Sequence, residues 1–539
     1  MFLFRLRQQG LRDEFQPSAP GAKSTPNRQS CQEIEACELS HGGMGCNGPG
    51  GCVGLKAMAE GRRAMDFRDG TLKAWAERVA GGELSAEGLM ASTLDRIEQL
   101  NPSLSAFTEL RPREAVLAEA RAVDQARSRG EPLPPLAGMP LGVKDLEDAA
   151  GLLSTYGSAL YGHTPTTEDS VLVSRLKQAG AIVVGKTMTP EFGCKGVTNN
   201  PRHGICRNPF ALDRSPGGSS GGSSAALAAG LVPLATGSDG GGSIRIPAAF
   251  SGHSGFKASQ GRLPLGDALP PTTGTLAVRG PMTYDLSGTC LALELAQGPH
   301  PRDIFSLPAV PGLFADAGAL PAPKKVLWAP TLGFAALDAP VVSALAAARQ
   351  RLEDAGIEVV EVAGPFPEHP LPGWWTLWSA LLARKLGPYR GTEDWEAIDP
   401  ELREIVAYGM DEVSGADYAR AMDQCTTLAM ALEATLERHG ASLLLGATCP
   451  CLPPEHDAPG IVLGRQTGRW VEMTLPMNMT RMPAATVAAG LAREGEGPLL
   501  PVGLQVLGGQ HQDAAVLSGA LALEKILGGP LRADLTALS

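Results

Sequence analysis

The sequence predicts an α/β layer fold: one large domain on a mixed, mostly parallel central sheet, with helices covering both sides. Three observations predict it. Strand-like and helix-like segments alternate from Pro140 almost to the end, no stretch inside 66–530 reads as a linker, and no unit repeats at a fixed period. The chain has 539 residues, 43 % of them hydrophobic, enough for a large buried core.

Taken in order, residues 1–64 stand apart. They mix glycine, charge and cysteine without periodicity, and "HGGMGCNGPGGCVG" is of low complexity. Met65 reads as the natural start, with 1–64 an extension that is disordered or not native and 65–535 the folded domain. Cys31, Cys37, Cys46 and Cys52 are spaced by six, nine and six, not by the two to four of zinc knuckles. Reduced thiols are the expectation there, with a short metal-binding arm as the alternative. In "ELSAEGLMASTLDRIEQL", Ser85 is an N-cap and Leu89, Met90, Leu94, Ile97 and Leu100 form one helical stripe. "PLGVKDL" (140–146) is a short apolar strand, "DSVLVSRLKQAG" a helix ending at Gly180, and "AIVVG" the strand after it. "KKVLWA", "PVVSALAAARQRLEDAG" and "IEVVEV" repeat the theme. Strands "ASLLLGAT", "AATVAAG" and "PVGLQVLGG" precede a last helix in "HQDAAVLSGALALEKIL".

The net charge of −11 argues against a nucleic-acid surface. No apolar run approaches the roughly 18 residues of a membrane span, and the start "MFLFRLRQQG" is too short for a secretory core. A cytoplasmic protein is expected.

Two motifs match patterns they do not fulfil. "GAIVVGKT" (180–187) fits the phosphate loop, but its variable positions are Ala181, Ile182, Val183 and Val184, which form the strand itself. Gly180 then caps a helix and Gly185 ends a strand. "GGSSG" (217–221) fits the nucleophile elbow, yet "RNPFALDRSP" before it is loop-like, where an elbow needs an apolar strand. None of His253, His300, His369, His439, His456 and His511 stands in a distinctive context for a triad.

Glycine and serine cluster twice, in "SPGGSSGGSS" (215–224) and "TGSDGGGSIRIPAA" (236–249), with "AALAAGLVPLA" between them reading as helix then strand. The first run is therefore no spacer. Three glycines ahead of Ser243 leave backbone N–H groups free to point at a ligand, and "SIRIPAAF" opens a helix.

The block "GVKD … GGSSGGSSAALAAGLVPLATGSDGGGSIRIPAAFSGHSGFKASQGRLP" resembles the amidase signature family, densely over 139–264 and more loosely over 66–530. The resemblance implies that family's fold and a Ser–cis-Ser–Lys triad of Lys144, Ser219 and Ser243, with a cis peptide joining Gly218 to Ser219. Ser243 is then the nucleophile, Lys144 the base and Ser219 the proton relay. The chemistry is coherent: a free lysine titrates near pH ~10.4, and burial lowers that by up to roughly 3–5 units. Asp145 is adjacent, but on a strand it points to the opposite face and does not pin the ammonium. The resemblance also implies an oxyanion hole of backbone N–H groups at Gly240, Gly241, Gly242 and Ser243, with Ser220 near the base and Asp239 and Arg245 bracing the loop. The family often carries threonine where Gly240 stands, a difference that removes no backbone donor.

"LPGWWTLWSALL" (371–382) places Trp374 and Trp378 on one helical face with Trp375 beside them. They are core or substrate pocket, and as pocket they suit an apolar or aryl amide. "GATCPCLPPEH" (446–456) is another candidate wall, and "MTPEFG" (188–193) is a family-like stretch beside the acyl site. The expected activity is hydrolysis of a carboxylic amide to acid and amine or ammonia, with esters as a side substrate and no metal or cofactor. The partner is a small-molecule amide, with no nucleic acid or membrane; a homodimer is one candidate assembly, and the sequence leaves the oligomeric state open. Two alternatives stay open: the glutaminase subunit of a tRNA-dependent amidotransferase, and an inactive binding protein.

Overall fold

In a computed structural model of the chain, residues 65–266, 273–458 and 460–538 are described. The reading of 1–64, with its four cysteines, lies outside them. Met65–Ser539 clusters as one compact unit.

The strand Pro140–Lys144 is buried along its whole length because parallel neighbours flank it on both sides. Pro140 is tolerated as its first residue, where a missing N–H costs least. The five-stranded sheet around it runs Phe107–Leu110, Ile182–Thr187, Pro140–Lys144, Leu234–Asp239, Val278–Thr283. Its three central strands are parallel and its two edge strands antiparallel. A six-stranded sheet runs Glu358–Glu361, Lys325–Trp328, Leu443–Ala447, Leu500–Gly508, Ala484–Ala492, Gly255–Lys257. There the first three strands are parallel and the remaining pairs antiparallel. The edges abut: a Cβ on Gly280 would lie 3.7 Å from the Phe256 carbonyl oxygen.

The mixed α/β expectation holds, with two refinements. Apart from two short two-stranded ladders, the described strands divide into two large hydrogen-bonded sheets, and parallel order is confined to the centre of one and one side of the other. Ala484–Ala492 and Leu500–Gly508 follow each other without a helix, so they pair as a hairpin, not as a parallel crossover. The formal phosphate loop is strand, as expected, but the strand runs on to Thr187 and does not end at Gly185. Ser85 caps the helix Ala86–Leu104 through its side chain.

The main apolar core lies between the sheets and their helices. A second cluster joins the helices Leu371–Leu386, Pro400–Asp411 and Gly415–His439 and reaches Phe192 and Leu475. The carboxyl ends of Pro140–Lys144 and Leu234–Asp239 lie on one side of the first sheet, where parallel α/β sheets bind ligands.

Candidate active site

Lys144 closes its strand, its backbone N–H donating to Thr236 Oγ1 on the neighbouring strand at 3.0 Å. Its side chain is fully buried. Nζ lies 2.8 Å from Ser219 Oγ, 2.8 Å from Ser220 Oγ and 2.9 Å from Ser238 Oγ. Burial pushes its pKa down to about 7, opposed by Glu147 and Asp239 and assisted by Arg279. Near neutrality the amine is therefore uncharged in a large fraction of molecules, with a lone pair among three hydroxyls.

Ser219 and Ser220 are presented by the first glycine-serine run. The peptide Gly218–Ser219 is cis. The helix Gly221–Ala228 starts immediately afterwards and is buried throughout. It approaches the sheet closely: Gly222 N–H donates to the Met188 carbonyl at 3.0 Å, and a Cβ on Gly222 would collide with that backbone. The "MTPEFG" stretch turns against the same serine, since a Cβ on Gly193 would stand 3.0 Å from Ser219 Oγ.

Ser243 follows the strand Leu234–Asp239 and precedes the helix Arg245–Phe250. It is half-buried, whereas Ser219 and Lys144 are buried. Its carbonyl accepts the Ser220 N–H at 3.3 Å, which ties the two glycine-rich segments together. Among the described residues, the N–H groups of Gly240, Gly241 and Ser243 have no acceptor. Gly242 differs from expectation: its N–H donates to Asp239 Oδ1 at 2.8 Å and is spent on the loop.

Asp239 and Arg245 brace this loop. Arg245 is fully buried and donates to Asp239 Oδ1 and Oδ2 (2.8 and 2.9 Å), Asn478 Oδ1 (2.7 Å), Gln505 Oε1 (2.6 Å) and the Thr474 carbonyl (2.9 Å). Burial alone would raise the Asp239 carboxyl, but Arg245, Lys257 and Asn478 hold it far below the usual range. Thr474 Oγ1 donates to the Gly241 carbonyl at 2.6 Å. Ser238, Thr236, Thr474, Asn478 and Gln505 were not singled out from the sequence. Ser238 lay inside the quoted motif; the last three are more than 200 residues from it and carry no local signal.

The tryptophans divide. Trp374 and Trp378 stack at 5.1 Å and 16° and back the glycine loop. A Cβ on Gly241 would stand 2.7 Å from Trp374, and one on Gly240 3.1 Å from Trp378. Trp375 packs instead toward Tyr408. Trp374 and Trp378 are thus core residues that also pack against the glycine loop. Among the described residues no cluster of three or more His, Cys, Asp or Glu is placed to hold a metal ion, and no helix is long and apolar enough to cross a membrane.

A sequence model of the family described as Amidase matches residues 89–517. The chain belongs to that family, the amidase signature enzymes. Among its curated relatives, an acylamidase of Rhodococcus erythropolis is 33 % identical over 84 % of this chain and 94 % of its own length. A glutamyl-tRNA(Gln) amidotransferase subunit from Synechococcus sp. (strain CC9605) is 32 % identical over 86 % and 97 %. A solved bacterial aryl acylamidase of the amidase signature family superposes with TM-score 0.78 at 26 % identity, covering 86 % of this chain and 99 % of that one. This amidase is a hydrolase of carbon–nitrogen bonds other than peptide bonds, acting on small-molecule amides.

Proposed function

We propose that this amidase works through an acyl-enzyme on Ser243, with Lys144 as base and Ser219 as relay. The observation that carries the reading is the buried Lys144 amine 2.8 Å from Ser219 Oγ, with a pKa drawn down to about 7. Neutral Lys144 takes the Ser219 proton as Ser219 takes that of Ser243, and Ser243 Oγ bonds the amide carbon. The free N–H groups of Gly240, Gly241 and Ser243 receive the oxyanion. The proton returns through Ser219 to the leaving nitrogen as the C–N bond breaks, and water then releases the acid by the same route. Ser220 donates to the Ser238 carbonyl at 3.4 Å and accepts from Lys144, which suits a fixed acceptor and leaves Ser219 to carry the proton.

The apolar backing of the loop by Trp374 and Trp378, and the likeness to an aryl acylamidase, favour an aryl or apolar amide. A second reading, the glutaminase component of a tRNA-dependent amidotransferase, draws on relatives of that name. A free glutamine needs charged partners for its ammonium and carboxylate, and two tryptophans offer none. The six described cysteines are unpaired, in keeping with work in the cytoplasm. An amide panel that includes glutamine, read by released acid and ammonia, tests the assignment. Turnover of apolar anilides is expected. Glutamine as the one substrate cleaved would replace this reading with the second.

A further inference from the structure

Trp374 does more than fill space. It sits in the first turns of the helix Leu371–Leu386, its ring held by the stack with Trp378. Its indole Nε1–H donates to the Gly240 carbonyl oxygen at 3.0 Å. Trp378 has no acceptor for its own indole N–H among the described residues, so the hydrogen bond from this pair goes to the glycine loop.

A peptide unit is planar, with its C=O and the following N–H pointing in opposite directions. A donor that fixes the Gly240 carbonyl therefore fixes the direction of the Gly241 N–H, which is free of any described acceptor. The next plane shows the same construction completed: Thr474 holds the Gly241 carbonyl, and the Gly242 N–H opposite it is delivered to Asp239. Glycine otherwise lets these planes turn with little steric cost.

Resting on the assignment of Ser243 as nucleophile, we infer that Trp374 is a positioning residue for the oxyanion. Its indole N–H holds the Gly240–Gly241 peptide so that the Gly241 N–H meets the carbonyl oxygen of the reacting substrate. The ring touches no reacting atom. Its contribution is preorganisation, the loss of which costs less than deletion of an oxyanion donor.

The test replaces Trp374 in the full chain by phenylalanine and, separately, by benzothienylalanine, which keeps ring shape and area but lacks the N–H. The readout is inactivation by a fluorophosphonate, whose phosphoryl oxygen occupies the oxyanion position, resolved into kinact and KI. Both variants should lose about tenfold in kinact, below the roughly 10²–10³ of a deleted oxyanion donor. KI should stay within about twofold, because positioning acts on the transition state and not on ground-state binding. The isostere should melt with the wild type, which separates this effect from a folding defect should the phenylalanine variant be unstable. Wild-type kinact in the isostere, or a loss confined to KI, overturns the proposal while Ser243-dependent labelling stands. Labelling that survives in Ser243→Ala overturns the nucleophile assignment and this inference with it.

Discussion

Two buried lysines one strand apart differ in what surrounds the amine, and the proposed base is the one without a carboxylate beside it. Lys144 ends the motif "GVKD"; Lys186 sits in the "GKT" of the formal phosphate loop. Their strands are parallel neighbours, with Lys186 opposite Val143 and Lys144 opposite Thr187. Both side chains are almost completely buried, and burial lowers the pKa of each. Their surroundings differ. Lys186 Nζ faces the Asp145 carboxylate at 3.6 Å, Ser154 Oγ at 3.1 Å and the Glu147 carbonyl. Lys144 Nζ faces three serine hydroxyls. Asp145 follows Lys144 in sequence, yet strand alternation sends its carboxylate to the neighbour's lysine. In the proposed mechanism burial alone does not suit a lysine to act as base; burial with no carboxylate in contact, next to hydroxyls able to pass a proton on, does.

The largest expected effect breaks the comparison on the Lys144 side. Ser243→Ala should abolish turnover, and Lys144→Met should lower kcat by ~10²–10⁴, the range for general acid–base catalysis. Steady-state rates on the best amide of the panel check both. Lys144→Met should fold as well as the wild type or better, since it removes a buried polar group with no carboxylate to strand. Near-full activity at neutral pH in that variant would remove Lys144 from the mechanism.

Lys186→Met should do the reverse. It leaves the buried Asp145 carboxylate without its cation, though still bonded by the Thr155 N–H and hydroxyl, a loss of at most roughly 3–5 kcal/mol for one partner of a buried pair, read by denaturant melts. The activity per folded molecule should change little, because Lys186 touches neither Ser219 nor Ser243. A stable but inactive Lys186→Met would make the second lysine part of the chemistry.

How much of this contrast was readable beforehand follows from where the information lies. Lys144, Ser219 and Ser243 stand in contiguous motifs whose spacing is visible along the chain, and the turn of Asp145 away from Lys144 follows from strand periodicity. The alternating segments gave the α/β class and most strand positions. The fate of Lys186 was not readable, because its partners Ser154 and Asp145 meet it only once strands are paired in register. The same holds for Arg245, whose partners Thr474, Asn478 and Gln505 come from distant segments, and for the Trp374 bond to Gly240. Division into two sheets also escaped, since alternation reports element type but not which edges join.

Acidity provides a third, smaller test. With Lys144 titrating at about pH 7, kcat/KM should rise with pH through an acid limb near 7 and level off above it. Stability carries a matching sign. The folded pKa lies below the unfolded lysine value of ~10.4, so between about 7 and 10 the unfolded chain binds the extra proton and stability rises with pH. Lys257, also buried and lowered to about 7, adds a slope of the same sign. The difference between wild type and Lys144→Met isolates the Lys144 share. Parallel stability curves for the two proteins would mean that Lys144 keeps its charge in the fold.

The finest test concerns the hydroxyls that distinguish Lys144 from Lys186. Ser238 Oγ, at 2.9 Å, accepts from the lysine and stabilises its charged form. Ser238→Ala removes that acceptor, a hydrogen bond to a charged group worth about 1.5–3 kcal/mol in net terms. The Lys144 pKa should fall further, and the acid limb should move to lower pH by about a unit, with the plateau reduced only a fewfold. The direction is informative: a replacement carboxylate, as in Ser238→Asp, should move the limb upward, toward the charged state that Asp145 favours in Lys186. If neither variant shifts the limb, the group titrating near 7 is not Lys144, and the contrast between the two lysines loses its functional meaning.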